Sequence, residues 1–206
     1  MTSDRIWFDS EWIGRIIHFE ESPSWMIVEK LEENTQYYRR RDSEESKFYS
    51  ECSGIFICEN TVTSTQAIMK VRMQIPYDES IDYHPNERAQ QAVGEICGRT
   101  ELETQALNIL TDEECPSTPK LIAWKHEAQD SKWLGTWRLI DYIVMERLQG
   151  ITLSPDTIDH LTGERKQSLR KAFKEAYNYL IDWETWRSRK QGEEWNDAQY
   201  NFWDLG

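Results

Sequence analysis

The sequence predicts an α+β fold: an antiparallel sheet with one helix packed on it, joined to a helical part. Three observations predict it. Ala67, Met69, Val71, Met73 and Ile75 alternate with Ile68, Lys70, Arg72 and Gln74, the period of a half-buried strand. Ala89, Ala92, Val93, Ile96, Leu107 and Leu110 recur at helical spacing on one stripe. The candidate elements then follow in the order strand, strand, helix, strand, strand, helices.

Each element has its own signal. The run Glu29 to Glu51 is dense in both charges and includes RRRDSEESK, which predicts a solvated loop or a weak strand. Gly54 to Cys58 (GIFIC) and Gln66 to Ile75 (QAIMKVRMQI) predict strands, and the polar ENTVTST between them a hairpin loop. Asn86 to Leu110 predicts helix, and Gly94 and Gly98 weaken it enough to split it in two. KLIAWKH (Lys120 to His126) and LIDYIVMERL (Leu139 to Leu148) predict two more strands. Ser154-Pro155-Asp156 reads as a helix start. A long amphipathic helix is expected from about Glu164 to Trp186, with Leu169, Ala172, Phe173, Ala176, Tyr177, Leu180 and Trp183 on its apolar stripe.

Composition bounds the function. The chain has 206 residues, one domain or slightly more. With 24 basic and 37 acidic residues its net charge is −13, which repels phosphate backbones and anionic membrane faces. Nucleic acid and membrane are therefore not expected partners. The N-terminus MTSDRIWFDSEWIG has neither the basic nor the apolar region of a secretory signal, and no stretch approaches a membrane span. Cys52, Cys58, Cys97 and Cys115 form no C-x-x-C pair, so reduced thiols in a cytoplasmic protein are the simplest expectation. His18, His84, His126 and His160 form no nucleophile–base grouping. The ten tryptophans fit an aromatic-ligand site in principle, but packing accounts for them more simply.

Lys70 and Glu103 carry the chemistry. Lys70 sits mid-strand between apolar neighbours, where the plain alternative is a solvent-facing lysine. Glu103 lies seven residues after Ile96 and four before Leu107, which puts it on the core-facing stripe. Glu101, about 200° around the helix, faces elsewhere. A buried acid needs a partner, and a lysine from the adjacent strand would serve. A capping box formed by Thr100 and Glu103 fits the spacing equally well.

A strand lysine, a helix glutamate and two strands ending in Met145-Glu146 resemble the small lobe of the protein-kinase-like fold. The stretch Thr100 to Leu153 is similar to the fungal kinase-like proteins, which are related to protein kinases and to aminoglycoside or choline phosphotransferases. AIMKVRMQIP (Ala67 to Pro76) resembles their lysine strand, and the likeness extends over about Gly54 to Ile181. It implies an N-terminal extension of the small lobe over 1–50, a small lobe with hinge over 51–150 and a partial helical lobe over 151–206.

It further implies that Lys70 contacts the α- and β-phosphates of ATP and that Glu103 holds Lys70. Met145 falls at the gatekeeper position, and the backbone carbonyl of Glu146 and the backbone groups of Leu148 would bond the adenine edge. Only Ser53-Gly54 stands where a glycine-rich loop is expected. The catalytic loop is matched by Trp195 to Asn201, with Asp197 as catalytic aspartate and Asn201 as Mg²⁺ ligand, but these are four residues apart rather than five and Trp195 replaces histidine. Asp204-Leu205-Gly206 lies too close to Asp197 to be the family's metal triplet and reads as chance.

Three functions fit. One is a truncated kinase-like protein, nucleotide-binding at best and catalytically impaired, with an uncovered apolar surface that predicts a protein partner or self-association. The second is an active ATP-dependent phosphotransferase using Asp197 and Asp204. The third is an unrelated α+β binding protein in which Lys70 is a surface residue and Glu103 a cap.

Overall fold

In the computed structural model the described residues are 5–41, 49–91, 96, 98–128, 139–149 and 158–176. The fold is α+β. Six strands form one antiparallel sheet: β1 (Ile16–Ile17), β2 (Trp25–Gln36), β3 (Glu51–Asn60), β4 (Gln66–Gln74), β5 (Leu121–Ala128) and β6 (Leu139–Glu146). The helices are α1 (Pro85–Ala89), α2 (Gly98–Asp112) and α3 (Gly163–Ala176). The strand order is β1-β2-β3-β4-β6-β5.

The order follows from the connections. β2, β3 and β4 are successive antiparallel neighbours. The β3–β4 turn is closed by Asn60, whose Oδ1 accepts from the amides of Val62 (2.9 Å) and Thr63 (3.1 Å). Helices α1 and α2 then carry the chain past one strand position to β5. β6 returns into the gap and pairs with β4 on one side and β5 on the other. A strand enclosed on both edges and both faces should be apolar throughout, as LIDYIVME nearly is.

Of the two readings of the charged stretch, loop or weak strand, the strand holds for Glu29 to Gln36, which forms most of the twelve-residue β2. Its polar residues are tolerated because little of the strand is buried, whereas its start, Trp25 and Ile27, enters the core. The helical pattern of 86–110 is realised as two helices, with the second beginning at Gly98. Of the long helix expected from Glu164, the part to Ala176 is helical; its remainder and Ser154-Pro155-Asp156 lie outside the described residues.

One sheet face holds the main core. Cys52, Phe56 and Cys58 of β3, Ala67, Met69, Val71 and Met73 of β4, and Ile140, Tyr142 and Val144 of β6 all turn toward it. The N-terminal segment covers this face with Trp7, Phe8 and Trp12. Phe8 meets Trp12 and Phe56 edge-on, with centroids 4.8 and 5.5 Å apart. Gly54 makes the close approach possible: a Cβ there would lie 2.6 Å from the Phe56 ring and 2.9 Å from Phe8.

Glu33 of β2 ties the segment down. Its carboxylate accepts from the amides of Trp7 (2.7 Å) and Phe8 (3.3 Å) and pairs with Lys30 at 2.9 Å. The opposite face carries α2.

Candidate functional site

On the α2 face of β4, period-two geometry places Lys70 and Arg72 side by side. Neither is an ordinary surface cation. The Arg72 side chain is 3% exposed and that of Lys70 is 18% exposed. The end of β4, Val71 to Gln74, is therefore buried on both faces, while its start stays half-buried, with Gln66 exposed and Ile68 and Lys70 partly so.

Glu103 comes down from α2 to meet them. Lys70 Nζ donates to both carboxylate oxygens at 3.0 Å, and Arg72 Nη2 donates to Oε2 at 2.8 Å. Only 3% of the Glu103 side chain is exposed. The sequence argument that a stripe acid needs a strand lysine holds in the geometry. The capping-box alternative does not. Thr100 lies inside α2, and its hydroxyl donates to Asp141 Oδ2 at 2.7 Å.

Asp141 forms a second buried polar centre beside the first. It is the β6 partner of Arg72 and lies opposite His126 of β5. His126 Nδ1 bonds its other oxygen. Arg72, Asp141 and His126 thus form one row across β4, β6 and β5, and Thr100 and Glu103, one helical turn apart, reach down onto it. At the start of α2, Arg99 pairs with Glu51 at 2.9 Å and also bonds Gln36 and the Tyr38 hydroxyl. These contacts fix the helix against the β2–β3 hairpin as well as the centre of the sheet.

Next to Lys70 the same sheet face turns apolar. Ile55 of β3 is opposite Lys70, and the adjacent row is Ile57, Ile68 and Met145. Ile55, Ile68 and Met145 are half-buried. Glu146 ends β6 with its amide donating to the Lys120 carbonyl at 2.9 Å, and Leu148 beyond it is exposed. The structure thus gathers Lys70, Glu103 and Met145 on one face, with Glu146 and Leu148 at its rim. Asp197 and Asn201 lie outside the described residues.

Ser53-Gly54, the position expected for a glycine-rich loop, lies within β3. Gly54 pairs with Glu33 on one side and Val71 on the other. Its lack of a side chain serves the packing of Phe8 and Phe56 on the far face.

The sequence pattern does not single out Arg72, Asp141 or His126 as site residues, and it marks Thr100 only as a helix cap. Arg72 carried a usable signal, since it stands two residues from Lys70 and so shares its strand face. Asp141 carried another, as the lone acid inside an apolar strand.

Among the described residues no group of three or more His, Cys, Asp or Glu side chains is placed to hold a metal ion. Burial pushes the Cys52 and Cys58 thiols up to about 12, so both stay protonated. No described helix is long and apolar enough to cross a membrane. Ile122 and Trp124 of the edge strand β5 are exposed, and Trp124 borders a groove of about 500 Å³ beside α2. No protein-family model matches the chain, and no curated protein matches it.

Proposed function

We propose that this chain is a kinase-like small lobe that binds a nucleotide through Lys70 and is impaired in phosphoryl transfer. The observation that carries the reading is the Lys70–Glu103 pair. A strand lysine is held at 3.0 Å from both oxygens of a buried helix carboxylate, while its side chain keeps some exposure. A cation fixed in this way is suited to orient phosphate oxygens, which need a positive charge at a defined position.

The order of elements supports it too: three strands, the lysine strand, helices, then two strands, of which the last returns beside the lysine strand. The groups present fit a nucleotide in kind. Lys70 would hold its phosphates. Ile55, Ile68 and Met145 offer apolar surface to a flat base, and the backbone of Glu146 and Leu148 would meet the base edge. Mg²⁺, where bound with ATP, would neutralise phosphate charge. Asn201 is the residue that the resemblance assigns to the metal, and Asp197 is the catalytic aspartate.

Impaired transfer follows from two departures. Phosphoryl transfer rests almost wholly on positioning and charge neutralisation. The backbone amides of 51–54, which a phosphate-cradling loop would direct at the ligand, belong to a paired strand instead. Asp197 and Asn201 have the wrong spacing and lack the histidine before them.

The test is a calorimetric titration of Mg-ATP into the wild-type protein and Lys70→Met, alongside an ATPase assay. Binding lost in the variant, without turnover, is the expected result. Turnover would point to the active phosphotransferase. No binding heat in the wild type would reduce the ion pair to a fold-holding contact in an α+β interaction module.

A further inference from the structure

We propose that Arg72 is a positioning residue for this nucleotide site: it takes over the charge of Glu103 so that Lys70 stays available to an anion. The proposal rests on the reading of Lys70 as the phosphate contact. It is argued from what each cation is able to do.

A carboxylate with a lysine as its sole partner forms a neutral pair. An approaching phosphate would have to compete with that carboxylate for the ammonium. If the lysine swung away, a buried carboxylate would be left uncompensated, which is strongly unfavourable. Here Glu103 has a second cation. Arg72 donates to Oε2 at 2.8 Å, slightly shorter than either contact from Lys70. Its side chain is as deeply buried as that of Glu103, so it stays with the carboxylate. The Lys70 side chain retains six times that exposure, 18% against 3%. The geometry divides the labour: Arg72 anchors the carboxylate, and Lys70 is free to turn to a ligand.

The surroundings hold Arg72 to this role. It lies beside Asp141 on the neighbouring strand, and Asp141 receives the Thr100 hydroxyl one turn before Glu103. Helix α2 is thereby pinned at two levels without Lys70. When Lys70 engages a phosphate, the helix keeps Glu103 in place.

The test compares Mg-ATP affinity, by calorimetry, in the wild type, Arg72→Met and the double variant Arg72→Met/Glu103→Gln. In Arg72→Met the carboxylate has Lys70 to itself, and affinity is expected to fall about tenfold. In the double variant the carboxylate charge is gone as well, and affinity is expected to return to within about fivefold of wild type. A residue that only supports the fold would give the reverse, with the second lost contact weakening binding further. Unchanged affinity in Arg72→Met, or a double variant as weak as the single one, overturns the proposal. If Arg72→Met does not fold, the double variant, which buries no uncompensated carboxylate, decides: a loss greater than about fivefold overturns the proposal and a smaller one supports it. A wild type that binds no Mg-ATP overturns the Lys70 reading itself, and that failure is seen before any variant is made.

Discussion

Thr100 and Asp141 share a buried hydrogen bond of 2.7 Å, with Thr100 fully buried and Asp141 2% exposed. The bond fastens the first turns of α2 to β6, the strand between β4 and β5. Removing the hydroxyl while keeping the shape takes one of the described partners from a buried carboxylate. Thr100→Val is therefore expected to cost about 1–3 kcal/mol. Urea unfolding should show a lower midpoint with the slope unchanged, because the surface exposed on unfolding is the same.

Gly54 and Phe8 give a prediction about shape rather than charge. A Cβ at position 54 would lie 2.6 Å from the Phe56 ring and 2.9 Å from that of Phe8, closer than carbon atoms pack. Both rings are fully buried among other aromatics and have little room to shift. Gly54→Ala is expected to destabilise by about 1–3 kcal/mol through overpacking. Phe8→Leu in the same chain removes part of the clash. The pair should therefore lose less than the sum of the single losses, which a double-mutant cycle of unfolding free energies measures.

Glu33 makes the docking of the N-terminal segment depend on pH. Burial alone would raise its pKa, but the bonds from Lys30 and from the Trp7 and Phe8 amides outweigh that and hold it below the usual 4.5. A carboxylate depressed in the folded state adds stability above its unfolded pKa. That stability is lost as pH falls through the folded value. The stability difference between wild type and Glu33→Gln should therefore be largest at neutral pH and shrink below about pH 4.5. Unfolding midpoints across pH 3–7 check it, and a difference independent of pH would contradict it.

A clear repeat makes β4 and α2 legible, whereas β3, β5 and β6 are legible as short apolar runs between polar segments. β2 escaped a firm reading, between loop and weak strand, because its stretch from Glu29 to Gln36 buries little, leaving no alternation to see. The N-terminal cover escaped for a different reason. Trp7, Phe8 and Trp12 pack on a sheet made from residues far along the chain, and no local repeat records such a contact. At the site, Glu103 was legible because an acid on an apolar stripe demands a partner. The sharing of Glu103 between Lys70 and Arg72 was not, since spacing puts both cations on the same face without saying which one the carboxylate reaches.

That sharing predicts an asymmetry between the two ends of the Lys70–Glu103 pair. Removing Lys70 leaves Glu103 bonded to Arg72, so no charge is stranded, and the lysine itself is partly exposed. Lys70→Met should change stability by less than about 1 kcal/mol. Removing Glu103 takes the carboxylate from both cations at once, one of them buried. Glu103→Ala should cost about 3–5 kcal/mol. Thermal or urea unfolding of the two variants side by side distinguishes this from a simple two-partner bridge, in which both losses would be of similar size. The asymmetry also makes Lys70→Met a fair probe of ligand binding, since a variant that keeps its stability and loses Mg-ATP has lost a ligand contact rather than its fold.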